Sequence, residues 1–170
     1  MTKKTPRLEY EEARQRIERY GRDGTISETD ADLILEYGEA YDGENITTVK
    51  PEGDSHKEPA TLRTYLNDLG RTAKHTELVT ATADNINRVM QSFLDGTADG
   101  VKDSGLAKST TRTYQMVAKS FYGYHDDLNC NPSEITGLKN SRARLIPAIC
   151  LLGMRFTNCG TRQASHATGR

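Results

Sequence analysis

The sequence contains no tryptophan and only three phenylalanines. Any core it forms must therefore be assembled from Leu, Ile, Val, Ala and Tyr. Its cysteines, Cys130, Cys150 and Cys159, are odd in number and widely spaced. That pattern is neither a disulfide framework nor a C-x-x-C metal knuckle, so no metal and no other cofactor is expected. The longest apolar-rich stretch, Leu145 to Met154, is about half of the ~20 residues that a membrane span needs. The opening MTKKTPRLEYEEARQ has no apolar run after its basic residues, so no secretory signal is expected and the chain reads as soluble and cytoplasmic. It also lacks a Gly-rich phosphate loop, a Ser/His/Asp set and metal-ligand spacing, which leaves little support for a small enzyme.

Charge is scarce in one sign only locally. The net charge is −1, yet all 24 acidic residues fall in residues 1–139 with 18 of the 23 Lys and Arg. Residues 140–170 carry five Arg and no acid. DNA affinity rests on neutralised phosphates, so an acidic body can bind DNA only through a local basic face. Residues 140–170 also lack a clean helical period. They read as a tail not selected together with the body, such as one produced by a frameshift; a basic tail binding nucleic acid weakly is the plainer alternative.

What is present is helical periodicity, in five places. Tyr10, Ala13, Ile17 and Tyr20 share one face of a segment over about 8–20, stopped by Gly21 and Asp23-Gly24. Ser27-x-x-Asp30 resembles a capping box, and Ala31, Leu33, Ile34, Tyr37 and Tyr41 continue as an apolar stripe. Residues 43–56 read as a linker. A third segment over about 57–72 must start close to Pro59 and aligns Leu62, Tyr65, Leu66 and Leu69. Thr82 caps a fourth with Ile86, Val89, Met90, Phe93 and Leu94, closed by Asp95-Gly96. The fifth, LAKSTTRTYQMVAKSFYGYHDDLNCNPSEI, takes Ser109 as its N-cap. Tyr114, Val117, Ala118, Phe121, His125 and Leu128 lie on one arc, and Arg112, Gln115, Met116 and Lys119 on the other. Short amphipathic helices need partners in water, so the expected fold is all-α: a compact bundle of four to five short helices with an irregular C-terminal tail.

The segments KEPATLRTYLNDLG, TATADNINRVMQSFLDG and KSTTRTYQMVAKSFYGYHDDLNCNP, in that order, resemble the N-terminal core-binding (SAM-like) domain of tyrosine recombinases of the phage-integrase and Xer type. The implied organisation is a helical pair and linker in residues 1–56, a core-binding domain in 57–135, and the tail in 136–170. The resemblance implies half of a C-shaped clamp on double-stranded DNA. Segments 57–72 and 108–128 would approach the major groove, and a full-length recombinase would be a second partner; neither a membrane nor a small-molecule substrate is implied. The implied DNA-binding residues are Lys57, Thr61, Arg63, Thr64 and Arg71 on the first of these segments. On the second they are Lys108, Ser109, Thr110, Thr111, Arg112, Gln115 and Lys119. Hydroxyls and cations at a helix start suit phosphates, while Arg112 and Gln115 suit base edges.

Each has a plainer competitor: a cap for Ser109, solvated helix charge for the cations, and packing for Tyr114, Tyr122, Tyr124 and His125. The family's catalytic Arg, Lys, His-x-x-Arg and Tyr have no counterpart here. The four histidines are followed by Lys-Glu-Pro, Thr-Glu-Leu, Asp-Asp-Leu and Ala-Thr-Gly, and no tyrosine follows Tyr124. The expectation is therefore a truncated, non-catalytic DNA-binding module, with a helical protein-interaction module as the alternative. The discriminating feature is whether the named cations share one face.

Overall fold

The structure is a computed structural model, and it describes residues 4–43 and 56–136. These residues fold as five α-helices: α1 (Pro6–Arg22), α2 (Glu28–Tyr41), α3 (Pro59–Ala73), α4 (Ala83–Asp95) and α5 (Lys108–Tyr124). A short 3-10 turn, Pro132–Glu134, follows. Among the described residues there is no strand, only an isolated bridge between Asp42 and Lys57. The all-α expectation holds. No described helix is long and apolar enough to cross a membrane.

Local chemistry explains most of the helix limits. Thr5 accepts from the Leu8 N–H and Pro6 occupies the first turn of α1. Ser27 caps α2 by accepting from the Asp30 N–H. Pro59 opens α3, where its missing N–H costs nothing. Thr82 and Asn85 form a reciprocal capping box on α4, and Gly96, at φ +75°, ends it in the left-handed conformation that glycine adopts without strain.

The apolar stripes read from the sequence meet in one core. Tyr10, Ile17, Ile34, Leu62, Leu66, Leu69, Ile86, Met90, Phe93 and Phe121 are all buried. α1 packs chiefly on α3 and α2, α5 lies against α3 and α4, and the 132–134 turn closes over α5 and α4. The close approach of α1 and α3 depends on Gly70, where a Cβ would stand 2.5 Å from the Ile17 terminal methyl. The helices of 1–56 and of 57–135 therefore share one core, and no break between compact bodies falls at residue 56. The tail assigned to 136–170 lies, from residue 137 on, outside the described residues.

Polar staples fix the arrangement. Arg7 donates to both Asp42 oxygens at 2.8 and 2.7 Å, tying the start of α1 to the end of α2. Asp30 is fully buried and takes hydrogen bonds from the Leu78 and Val79 N–H groups at 3.1 and 3.0 Å. The Asp30 carboxylate thus serves two places, accepting from the Ser27 hydroxyl at its own cap and from the amides of a distant loop. Tyr122 donates to the Leu78 carbonyl at 3.0 Å, holding the same loop from α5.

Candidate nucleic-acid interface

The α5 helix starts where its preceding loop delivers it. Leu106 donates to the Phe93 carbonyl at 2.7 Å, and Gly105 to that of Lys102 at 2.7 Å. This anchoring makes Ala107, with φ −59° and ψ 143°, the N-cap, and no side chain caps the helix. Ser109, expected as the cap, is instead the second helical residue, and its hydroxyl stands exposed.

The α5 wheel divides cleanly. Thr111, Tyr114, Gln115, Val117, Ala118, Phe121 and Tyr122 are buried. Lys108, Ser109, Thr110, Arg112, Met116 and Lys119 are exposed, with Met116 retaining 66% of its surface. Lys108, Arg112, Met116 and Lys119 form a continuous outward stripe at helical spacing. Neither Arg112 nor Lys119 is within ion-pair distance of a carboxylate among the described residues.

Two α5 residues expected at DNA are not on that stripe. Thr111 is fully buried and its hydroxyl donates to the Ala107 carbonyl at 3.2 Å. Gln115 is buried beneath the 132–136 segment, where its amide donates to the Thr136 carbonyl and, at 3.5 Å, to that of Ile135. A side chain holding the chain's exit cannot also reach a base edge. The helix itself ends at Tyr124, short of the expected 128, with His125 as its C-cap. His125 is a packed core residue as expected, its Nε2 3.1 Å from the Leu33 carbonyl.

The cations of the 57–72 segment are engaged within the protein. Lys57 donates its backbone N–H to Tyr41 at 2.9 Å and places its ammonium 4.3 Å from the Tyr41 ring centroid and 5.7 Å from that of Tyr65. Arg63 is paired with Glu9 of α1. Arg71 donates to the Tyr114 hydroxyl at 3.2 Å and to the Gly100 carbonyl at 2.9 Å. Thr61 sits half-buried in the first turn of α3, and Thr64 returns its hydroxyl to the Ala60 carbonyl at 3.0 Å. The two expected DNA segments are therefore unequal: α5 presents an outward basic stripe, whereas the cations of α3 brace neighbouring elements.

Sequence reading missed the network on the outer side of α3. Arg16 of α1 donates to Asn67 at 2.8 Å, and Lys74 stands 3.8 Å from the Tyr20 ring centroid. Tyr114 hydrogen-bonds Asp68, a buried carboxyl whose pKa is pushed up to about 6 by burial, against the lowering effects of Tyr114 and Arg71. These partners lie tens of residues apart in sequence, so no local spacing could announce them. Cys130, buried beside Glu134, has its thiol pushed up to about 11, chiefly by that burial. Among the described residues no group of His, Cys, Asp and Glu is placed to hold a metal ion.

Compared with family models, with curated proteins and with solved structures, the chain matches none.

Proposed function

We propose that the chain is a helical DNA-contacting module of the tyrosine recombinase core-binding type, which meets duplex DNA through α5 and neither cleaves nor joins strands. The observation that carries this reading is the outward stripe of Lys108, Arg112 and Lys119, continuous with the exposed hydroxyls of Ser109 and Thr110 at the helix start. An uncapped helix N-terminus leaves amide N–H groups and a positive dipole end for phosphates. The two cations one and three turns further on would follow the strand, and Met116 between them offers an apolar contact to a base edge.

Strand cleavage would need cations around a nucleophile to hold the developing phosphoryl charge. The sequence has no His-x-x-Arg and no tyrosine beyond Tyr124, and the tyrosines of α5 are engaged in packing: Tyr114 and Tyr122 are buried and Tyr124 is half-buried. A single helix contacting DNA predicts weak, strongly salt-dependent binding, with a Kd on the order of 10⁻⁴–10⁻⁶ M at physiological salt.

A second reading, a helical protein-interaction module, is favoured by two features: the cations of residues 57–72 are engaged within the protein and do not join those of α5 on one face, and α2 is acidic on its exposed side. Glu28, Asp32 and Glu36 form an exposed acidic stripe along α2, a face suited to a basic partner rather than to DNA.

Titration of a duplex at several salt concentrations, read by mobility shift, separates the two. Arg112→Gln with Lys119→Gln should weaken binding and reduce the log–log salt slope by roughly 2, because each phosphate contact contributes about 0.9. Identical slopes for parent and variant would remove α5 as the contact surface.

A further inference from the structure

The outer groove between α1 and α3 contains two adjacent cavities that share Arg16 and Asn67. One, of about 400 Å³, mixes cations with Glu9, Glu12 and Asp68. The other, of about 300 Å³, has Arg16, Arg71 and Lys74 in its lining, with Tyr20, Asn67 and Tyr114, and no carboxylate. Three cations line one small concavity; Asp68 acts on Arg71 and Asp23 on Lys74 from outside it, so no carboxylate lines the space between the three to offset their mutual repulsion.

The cations are also held in place. Arg71 is fixed by the Tyr114 hydroxyl on one side and the Gly100 carbonyl on the other. Arg16 is oriented by Asn67, and Lys74 by the face of Tyr20. A guanidinium has five N–H donors, and those two bonds leave Arg71 with donors to spare. None of the three cations is within ion-pair distance of a carboxylate among the described residues. Asp68, whose carboxyl feels the Arg71 charge, takes its hydrogen bond from Tyr114 and lines the other cavity.

Complementing the C-terminal end of the α3 dipole would explain Arg71 and Lys74 as ordinary last-turn cations. It does not explain Arg16, which comes from the middle of a different helix and converges on the same space. Pre-fixed guanidinium groups with unspent donors and a compact ammonium are the donor set that tetrahedral oxyanions select.

We infer that the cavity lined by Arg16, Arg71 and Lys74 is a binding site for a phosphate-class anion, either a free phosphate or phosphomonoester or a phosphate of a nucleic-acid strand. The site is distinct from the α5 stripe and stands whether or not that stripe contacts DNA.

The test is calorimetric titration of the full chain with inorganic phosphate at ionic strength held constant with sodium chloride. Saturable binding is expected for the parent and for an Arg88→Gln control, a cation exposed on α4 outside the cavity. Arg16→Gln with Lys74→Gln, both exposed positions, should weaken binding at least about tenfold, the loss of charge-assisted bonds worth roughly 1.4 kcal/mol or more; circular dichroism checks that the variant is folded. Heats equal to those of chloride alone, or equal affinity in the folded double variant, would overturn the site. An unphosphorylated duplex added as competitor identifies the source: displacement of phosphate assigns the site to a strand phosphate, and undiminished phosphate binding assigns it to a free phosphate or phosphomonoester.

Discussion

Asp68 shows how one residue couples packing to pH. Its carboxyl is buried between α3 and α5, and burial outweighs both the Tyr114 hydrogen bond and the Arg71 charge to push its pKa from 3.8 up to about 6. The folded state therefore holds this proton more tightly than the unfolded chain does. The resulting stability is fully present below about pH 4 and is lost as pH rises through about pH 6. Asp68→Asn retains an oxygen to accept from Tyr114 and removes the charge. The variant should match the parent near pH 4 and exceed it by up to about 3 kcal/mol at neutral pH, since one pKa unit is worth about 1.36 kcal/mol. Urea unfolding across that range measures it; parallel stability curves would show that the carboxyl is not held above its unfolded value.

At the scale of the helix, α5 carries the stripe proposed to face DNA and its structural weakness at the same end. Ala107 has the extended geometry of an N-cap and no side-chain oxygen to fill the role. Ala107→Ser should raise stability by about 1 kcal/mol, read as a higher denaturation midpoint. Ala107→Asp should stabilise similarly, through the cap and the dipole, but place a negative charge where a phosphate is proposed to sit. The aspartate variant should thus lose DNA affinity while the serine variant keeps it, a split that fluorescence anisotropy with a labelled duplex resolves.

The helices themselves were legible because their information is local. Ser27, Pro59, Thr82 and Gly96 sit where propensity puts them, and the apolar spacing of Leu62, Leu66 and Leu69 or of Ile86, Met90 and Phe93 names the buried faces directly. The cap of α5 was not legible, because a loop anchored through the Phe93 carbonyl sets its start ahead of Ser109. Gln115 sits at the edge of its helix's apolar arc, and only the return of the chain at Thr136 decides that it is buried. Arg63 and Arg71 look like free surface cations in one dimension and find Glu9, Tyr114 and Gly100 in three.

For the whole molecule, the question is how an acidic chain could grip a polyanion. The cations are not pooled on one broad face. Several brace helices against each other; α5 carries an outward stripe of Lys108, Arg112 and Lys119, other exposed cations such as Arg19, Arg22 and Arg88 lie on α1 and α4, and α2 exposes Glu28, Asp32 and Glu36. Such a surface would repel DNA along most of its area and accept it in one orientation, which trades affinity for a defined approach. The claim on which this account turns is that α5 is the principal surface that meets the duplex. Nuclear magnetic resonance mapping tests it most directly, because the Met116 methyl is exposed in the middle of the stripe. Addition of duplex DNA should shift the Met116 methyl and the amides of residues 108–119 first and furthest, with those shifts fading as salt is raised. Shifts centred on α2, or a silent Met116 while the duplex binds elsewhere, would contradict it.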